Sequence, residues 1–482
     1  MNKTVAYLSL AGGLALVALV LAVPRTDASP TGSTGPTPET RLPETPPAVD
    51  PLPTSQPQSA DGSLKLTGRL SHPVVAAGTS GVFLTVDITG VEVPGKERAP
   101  VNLALVIDRS GSMAGEKLAR AKEAARHLVN QLRPTDRLAI VHYGSDVQML
   151  RSLEATEANK AQMLRFIDQI TDDGGTNIGD GLQSGKAQLL THLSGFKVNR
   201  MILISDGEPT EGITGPKALM QLARQIRTAG VTVSAIGVGD EFNEDLMQGL
   251  AEYGAGAYGY LQDASRLASI FQKDLQQAGT TVARNVELSF ELPDGVSLAE
   301  VIGYRTSQAG RTVRVALPDF SAGQVERVVA KLNVRTAAVG ERIDVAHLSL
   351  AYDDLLADKP VETKTMLAAL VTDRVEEVAL RRDKEATVIA SRAVAARNLS
   401  RAADALAHGN REKAEALMEE NEAVFGDAAA VAGAAAVAPD VAAMNDAATG
   451  LMEAHSEAEV RQEVKAAKAR ALKGFGRMGS TY

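Results

Sequence analysis

Between residues 101 and 281, continuously apolar segments alternate with amphipathic ones, and this alternation constrains the fold more than any other feature of the sequence. The apolar segments are typical of strands covered on both faces of a sheet, and they include VNLALVID, RLAIVHYG and NRMILIS. The segments between them repeat apolar residues at helical spacing, as in GEKLARAKEAARHLVNQL. Repeated βα units of this kind predict an α/β domain with a doubly wound, mostly parallel sheet at residues 101–281.

Strands of a different kind flank this domain on both sides. Apolar and polar residues alternate before it and again after it, with apolar side chains at Leu64, Leu66, Val82, Leu84, Val86, Val286, Leu288, Phe290, Val313, Val315, Leu348 and Leu350. A period of two is typical of antiparallel strands with one buried face. We infer a single β-sandwich, made from residues 63–100 and 282–372, into which the central domain is inserted. Two separate small sheets are the alternative.

Residues 373–482 are rich in alanine, glutamate, arginine and lysine, and they predict an α-helical region. Two helices are expected to meet at residues 408–410, in the sequence His-Gly-Asn. An Ala-rich loop from Gly426 to Pro439 is expected to separate them from a final helical stretch. The segment AADALAHGNREKAEAL resembles one helical hairpin of a tetratricopeptide repeat, but a single pair favours a simple helical cap over a repeat.

The first 62 residues predict no folded domain. Lys3 precedes a long apolar run, so residues 1–23 are interpreted as a signal peptide or an uncleaved membrane anchor. Residues 24–62 contain half of the chain's 20 prolines and few large apolar residues, which predicts a disordered Pro/Thr/Ser-rich linker. We therefore expect an extracytoplasmic protein that is membrane-anchored, secreted or periplasmic.

The composition excludes several classes of function. The net charge of −9, with both signs mixed along the chain, argues against binding to nucleic acid, which needs a concentrated basic surface. The absence of cysteine excludes disulfides, thiolate metal sites and a thiol nucleophile. The seven histidines form no HExxH or similar pair, so the sequence offers no two-histidine zinc site.

Polar side chains follow the apolar strands of the central domain at three places. Asp108, Ser110 and Ser112 follow the first strand, in DRSGSM. Thr176 stands in GGTN before a helix, and Asp206 follows the strand ILIS. The carboxyl edge of an open parallel sheet is where ligand sites form, so these segments predict a site with two carboxylates and three hydroxyls.

In these segments the chain closely resembles the von Willebrand factor type A family, in the form that carries a metal-ion-dependent adhesion site. The resemblance covers about residues 101–281 and includes DRSGSM, GGTN and SDGEPTEG in the family's order. The flanking strands resemble bacterial exported proteins in which this domain interrupts a sandwich. The inter-alpha-trypsin inhibitor heavy chains and calcium-activated chloride channel-like proteins are more loosely similar.

The resemblance implies a set of ligands for one divalent cation. The hydroxyls of Ser110, Ser112 and Thr176 would bind the ion. Asp108 and Asp206 would bind it directly or through water. Oxygen ligands and retained waters suit Mg²⁺ first, with Mn²⁺ or Ca²⁺ as alternatives.

The resemblance also implies a partner. Because only two carboxylates face the divalent cation, the ion stays electrophilic and keeps an open position. In the family, an Asp or Glu carboxylate of a protein partner takes that position. Integrin-type domains hold an adjacent ion through further acidic residues of the first loop. Here Ala114 and Gly115 follow Met113, so we expect no second metal site by that route.

Weaker candidates lie close to these segments. Asp172 and Asp173 are interpreted as loop carboxylates, with electrostatic tuning of the site as the alternative. His142 is interpreted as a packed or edge histidine on a strand. The segment GVGD at residues 237–240 lacks the lysine of a phosphate-binding loop and is interpreted as a strand-end turn.

The sequence therefore predicts a metal-dependent protein-binding module, exported or tethered to a membrane, and not an enzyme. A metal-assisted hydrolase is one alternative, although no pair of nucleophile and base is identifiable near the predicted site. A structural scaffold with a vestigial metal site is the other alternative.

Overall fold

The computed structural model describes residues 62–93, 98–206, 208–239, 242–261, 266–336, 339–477 and 480–481. The predicted signal peptide or anchor lies outside these residues, as does the predicted linker apart from its last position, Gly62. Within the described ranges, no helix combines the length and the apolar character that are needed to cross a membrane.

Three strands precede the central domain, namely β1 (Leu64–Leu70), β2 (Val74–Ala76) and β3 (Gly78–Gly90). The central domain then alternates strands and helices in the order β4 (Val101–Asp108), α1 (Glu116–Gln131), β5 (Arg137–Tyr143), β6 (Val147–Glu154), α2 (Glu157–Asp168), α3 (Ile178–Leu190), β7 (Val198–Ser205), α4 (Pro216–Thr228), β8 (Thr232–Val238), α5 (Glu244–Tyr253), β9 (Ala255–Leu261) and α6 (Leu267–Gly279). Its strands form one sheet in the order β6-β5-β4-β7-β8-β9, where β6 is antiparallel to β5 and the other pairs are parallel.

Helices cover both faces of this sheet, and each face has its own apolar core. On one face, helices α3, α4 and α5 contribute residues such as Leu182 and Leu250. On the other face, helices α1, α2 and α6 contribute residues such as Leu128, Met163 and Phe271. All eight residues of β4 are buried, because alternate side chains enter the two cores. The predicted α/β fold class with a doubly wound sheet is therefore confirmed.

The strands on both sides of the central domain form a sandwich. Those that follow it are β10 (Thr281–Glu291), β11 (Val296–Ile302), β12 (Thr306–Ala309), β13 (Thr312–Ala316), β14 (Phe320–Ser321), β15 (Val325–Thr336), β16 (Arg342–Asp354) and β17 (Lys359–Thr372). One sheet has the order β1-β3-β15-β11, and the other has the order β12-β13-β10-β16-β17-β2, with β14 paired to β10. Val86 and Leu332 of the first sheet share one core with Leu288 and Leu348 of the second, so the alternative of two separate sheets does not apply.

The helical region contains α7 (Val375–Leu380), α8 (Lys384–Ala407), α9 (Arg411–Ala432), α10 (Ala434–Glu453) and α11 (Glu457–Gly474). The break between α8 and α9 falls at residues 408–410, as predicted, and Gly409 has a positive φ of 76° there. The predicted loop from Gly426 to Pro439 is wrong, because α9 and α10 occupy it and are separated by Gly433 alone. Alanine has the highest helix propensity, so an Ala-rich run continues a helix until a residue such as glycine ends it.

The C-terminal helices contact both the sandwich and the central domain. Ile389 of α8 and Phe475, which follows α11, pack with Val329 of the sandwich. The ammonium of Lys465 in α11 donates a hydrogen bond to the backbone carbonyl of Phe242 in the central domain, at 2.5 Å. The helices thus form a cap that connects the two parts of the protein.

Candidate metal centre

Two aspartates lie at neighbouring strand ends on the carboxyl edge of the central sheet. Asp108 is the last residue of β4, and Asp206 directly follows β7. These strands are parallel neighbours, with Ile107 beside Ile204, so their carboxyl ends reach the edge together. Both aspartates have no solvent exposure. Burial of two carboxylates at one point is costly unless hydrogen bonds or a cation compensate their charge.

Hydroxyl and amide groups compensate part of the charge on Asp108. Its Oδ1 accepts a hydrogen bond from the backbone N–H of Ser110 at 2.8 Å. Its Oδ2 accepts one from the hydroxyl of Ser205 at 2.6 Å. Burial nevertheless raises the pKa of Asp108 to about 6, because the loss of solvation outweighs the hydrogen bonds from these two serines.

A chain of contacts joins the two strand ends. The Oγ atoms of Ser110 and Ser112 are 3.1 Å apart, and the hydroxyl of Ser112 donates to Oδ1 of Asp206 at 2.8 Å. Ser110 is buried, whereas Ser112 is exposed. The group of oxygen atoms therefore has a buried floor, formed by the aspartates, and a side that faces solvent.

The loop that carries Thr176 is bound to both strand ends. The backbone N–H of Gly111 donates to the carbonyl of Gly174 at 3.1 Å, and Gly174 has a positive φ of 75°. The backbone N–H of Thr176 donates to Oγ1 of Thr210 at 2.9 Å. A Cβ atom on Gly175 would lie 2.5 Å from Oε1 of Glu211 and 2.8 Å from the same Oγ1, so a larger residue would displace these side chains. The three predicted segments thus meet at one edge, and Thr176 is buried there.

Lys117 belongs to the same group of residues, although sequence reasoning did not identify it. Its ammonium lies 2.5 Å from Oδ2 of Asp206 and 3.3 Å from the backbone carbonyl of Ser112. The side chain is 29% exposed, while that of Asp206 is fully buried. A signal was present in the sequence, because a lysine in the first turn of a helix opposes the helix dipole unless an anion lies close by.

The donor set fits a hard divalent cation. Two carboxylates and three hydroxyl-bearing side chains come together at this edge, and oxygen donors are the ligands that Mg²⁺ prefers. Asp206 already attracts one cation, the ammonium of Lys117. Among the described residues, including those of this edge, no three histidine, aspartate or glutamate side chains form a group able to hold a metal. Any ion at this edge would therefore depend on hydroxyl oxygens as well as carboxylates.

The weaker candidates have structural roles around this group. Asp173 is 75% exposed at its side chain and lies 3.6 Å from the guanidinium of Arg109, which also pairs with Asp146. His142 is buried, with its ring 5.3 Å from that of Phe166. Burial and the charge of Arg109 lower the pKa of His142 to about 4, so it is a neutral, packed histidine.

Comparison with known proteins agrees with this fold. The sequence model of the von Willebrand factor type A domain matches residues 102–273. The uncharacterized protein YfbK of Escherichia coli (strain K12) is 31% identical over 292 residues, which are 59% of this chain and 50% of that protein. The inter-alpha-trypsin inhibitor heavy chain H2 of Mus musculus is 28% identical over 198 residues, which are 40% of this chain and 21% of that protein. The chain thus spans half or less of the length of these two relatives.

Two solved structures resemble this chain beyond its central domain. A von Willebrand factor type A protein from Catenulispora acidiphila has a TM-score of 0.64 at 16% identity, covering 86% of this chain and 98% of that one. The ArnB paralog VWA2 from Sulfolobus acidocaldarius has a TM-score of 0.55 at 18% identity, covering 86% and 99%. At these identities the likeness establishes the fold. The sequence model and the shared fold together identify residues 102–273 as a von Willebrand factor type A domain.

Proposed function

We propose that the carboxyl edge of the central sheet binds one divalent cation, Mg²⁺ in the first place, and through it an Asp or Glu carboxylate of a protein partner. Asp108, Ser110, Ser112, Thr176 and Asp206 are the proposed ligands. Domains of this family typically mediate protein–protein interaction, and the proposal adds a metal ion to that role.

One observation carries the proposal. The loops after β4 and β7 meet through the contact of Ser112 with Asp206, and the other carboxylate oxygen of Asp206 lies against a cation, Lys117. A fully buried carboxylate whose cation is a partly exposed lysine is able to exchange that cation for another. A divalent ion would bring more charge and would use the neighbouring hydroxyls as ligands, which a lysine does only in part.

The accessibility of the site supports binding of a partner. The aspartates form the buried side, and Ser112 faces solvent. Three of the five proposed ligands are neutral hydroxyls, so a divalent ion would keep much of its positive charge on the solvent side. That charge attracts a carboxylate more strongly than it attracts a neutral amide of the same shape.

The site of action belongs to the same proposal. The sequence of residues 1–62, with its apolar run and its proline-rich segment, supports a protein that works outside the cytoplasmic membrane, either tethered by its N-terminus or released. The partner would then be another protein in that compartment with an exposed acidic side chain.

Water-proton relaxation with Mn²⁺ tests the proposal. Mn²⁺ binds to oxygen sites and relaxes the protons of any water that it holds. We would load the full chain with Mn²⁺ and add acetyl-Gly-Glu-Gly-amide, with acetyl-Gly-Gln-Gly-amide as the matched control. The glutamate peptide should lower the relaxation enhancement as its carboxylate displaces water, and the glutamine peptide should not. Equal effects of the two peptides would contradict carboxylate recognition, and absence of bound Mn²⁺ would contradict the metal site.

A further inference from the structure

A second candidate site, which shares no lining residue with the proposed metal ligands, is a cavity of about 570 Å³ between the central domain and the sandwich. Its walls come from the ends of α4 and α5, the start of β9, strands β10, β12 and β13, and the segment that follows α11. Pockets for small molecules have volumes of roughly 300–1,000 Å³. The cavity therefore has the size of a site for a small molecule.

The cavity is strongly cationic, because five arginines and two glutamates line it. Glu252 pairs with Arg305 at 2.8 Å and also with Arg477. Glu287 lies 3.5 Å from Arg314. The two carboxylates are thus already in contact with three of the arginines, and neither of them forms an ion pair with the remaining two.

The remaining two arginines lie one turn apart at the end of α4. Arg224 and Arg227 have no carboxylate within ion-pair distance among the described residues, and Asp319 and Glu287 act on Arg227 from farther away. The guanidinium of Arg227 has one hydrogen bond, to the backbone carbonyl of Leu317 at 3.5 Å. Burial lowers the pKa of Arg227, and the more distant charges of Asp319 and Glu287 oppose that shift. A bound anion would supply the missing charge.

The backbone around the cavity is strained in a way that is common at functional sites. Of the three described non-glycine residues with a left-handed φ, two line the cavity, namely Ala255 with φ of 58° and Asn285 with φ of 54°. The strand register shifts close to each of them, between β8 and β9 and between β10 and β16. Strained residues cluster at functional sites and bulges are common beside them, although asparagine adopts the left-handed conformation at less cost than alanine.

An unsatisfied donor and several hydroxyls complete the wall. Arg477 is 7% exposed, and its Nε has no hydrogen-bond partner among the described atoms. The side chains of Thr228, Thr306, Ser307 and Tyr253 also line the cavity, and each carries a hydroxyl. Such groups suit a ligand that has several hydroxyls of its own.

We propose that this cavity binds a phosphate monoester of a small polyhydroxylated molecule, of the size of a sugar phosphate. A phosphate monoester carries about two negative charges and three acceptor oxygens, and two arginines here lack a counter-ion. Guanidinium groups donate to such oxygens in pairs. Arg224 and Arg227 hold the phosphate, and the hydroxyls of the wall bind the rest of the molecule. Phosphate alone would leave most of the cavity empty.

Calorimetric titration of the full chain in EDTA tests this proposal independently of the metal site. The probes are glucose 6-phosphate, inorganic phosphate and glucose. Glucose 6-phosphate should bind about tenfold or more tightly than inorganic phosphate, and glucose should not bind detectably. Equal affinity for the two phosphates would contradict the part assigned to the hydroxyls. Equal affinity for glucose and its phosphate would overturn the proposal.

Variants locate the binding. The double variant Arg224→Gln/Arg227→Gln should bind glucose 6-phosphate at least about tenfold more weakly. Its matched control, Arg120→Gln/Arg126→Gln, alters two exposed arginines of α1 that already pair with acidic residues, and it should bind as the wild type does.

A second substitution guards against a general folding defect. Thr228→Asp places a carboxylate on the exposed wall beside both arginines, so it should also weaken binding while a circular dichroism melt stays close to that of the wild type. Removing the uncompensated charge of Arg227 should leave the ligand-free melting temperature unchanged or higher. Wild-type affinity in both the double variant and Thr228→Asp would overturn the proposal.

Discussion

The two edges of the central sheet both contain fully buried aspartates, but they compensate the charge differently. At the amino edge, Asp136 accepts hydrogen bonds from both terminal nitrogens of Arg98 and from two backbone N–H groups. At the carboxyl edge, Asp206 has the hydroxyl of Ser112 and the ammonium of Lys117 as partners. The side chain of Arg98 is 12% exposed, and that of Lys117 is 29% exposed.

This difference separates a structural ion pair from the proposed site of cation exchange. A guanidinium that binds a carboxylate through two parallel hydrogen bonds is fixed in geometry, and it is costly to displace. A lysine is a flexible point charge, and a divalent ion with several oxygen ligands is able to replace it. The same residue type, buried to the same extent, thus has a fixed structural partner at one edge and, under the proposed function, a replaceable one at the other.

The largest expected change in the free energy of unfolding comes from a substitution at the amino edge. Asp136→Ala leaves Arg98 without its carboxylate in a buried position, so the free energy of unfolding should fall by about 3–5 kcal/mol. Urea denaturation in EDTA and in Mg²⁺ measures this loss, which should be the same in both. A loss below about 1 kcal/mol, or stability that Mg²⁺ restores, would contradict the interpretation of Asp136 and Arg98 as a structural ion pair.

The next effect is at the carboxyl edge. Mg²⁺ at about 100 times its Kd should raise the free energy of unfolding of the wild type by about 2.7 kcal/mol, because it binds the folded state alone. Asp206→Ala should lose this increment. The control Asp173→Ala, at an exposed carboxylate outside the ligand set, should keep it. Equal stabilisation of both variants by Mg²⁺ would show that the ion binds elsewhere.

A smaller effect separates the lysine from the ion. Lys117→Met removes the competing cation, so the affinity for Mg²⁺ should rise about tenfold, or about 1.4 kcal/mol. Lys122→Met is the control, because Lys122 lies on the same helix and binds the backbone carbonyls of Asp168 and Ile170 instead. Calorimetric titration measures both. An affinity of Lys117→Met equal to or below that of the wild type would refute the exchange of cations.

The smallest effect concerns Glu326, a buried carboxylate whose hydrogen bonds from Tyr304 and Gln324 come from neutral groups. Burial raises the pKa of Glu326 from 4.5 to about 7. The pKa of Glu326 is higher in the folded state than in the unfolded state. The stability that its protonated side chain contributes is therefore complete below pH 4.5 and is lost as the pH rises through 7.

Between pH 6 and pH 8, the free energy of unfolding of the wild type should therefore fall by about 1 kcal/mol more than that of Glu326→Gln. Urea denaturation at the two pH values measures the difference. Parallel pH dependence in the two proteins would show that these hydrogen bonds, together with the charge of Arg477, are enough to keep the buried carboxylate charged.

Local patterns predicted most of the fold and part of the candidate site. The continuous apolar composition of β4 and β7 determined that both strands are buried, and the geometry of a parallel sheet then placed Asp108 and Asp206 at one edge. Lys117 was missed because the position of a lysine in the first turn of α1 does not identify its partner, and only the packing of α1 against the sheet edge shows that it reaches Asp206.

Features that depend on distant segments were beyond the sequence. The arginine-lined cavity brings Arg224 of α4 close to Arg305 and Arg477, which are separated along the chain by domain-length distances. The local hydrophobic pattern of a segment does not indicate which distant residues it will contact. The prediction of a loop from Gly426 to Pro439 was wrong for a local reason. Its Ala-rich composition was interpreted as a loop, although alanine favours a helix.

The central claim is that the carboxyl edge binds one divalent cation through its buried aspartates. The most direct test is a calorimetric titration of the full chain with Mg²⁺, beside Asp108→Asn, which keeps the shape of the side chain and removes its charge. The account predicts binding of about one ion per chain in the wild type and none in the variant. Absence of binding in the wild type, or equal binding in the variant, would contradict it.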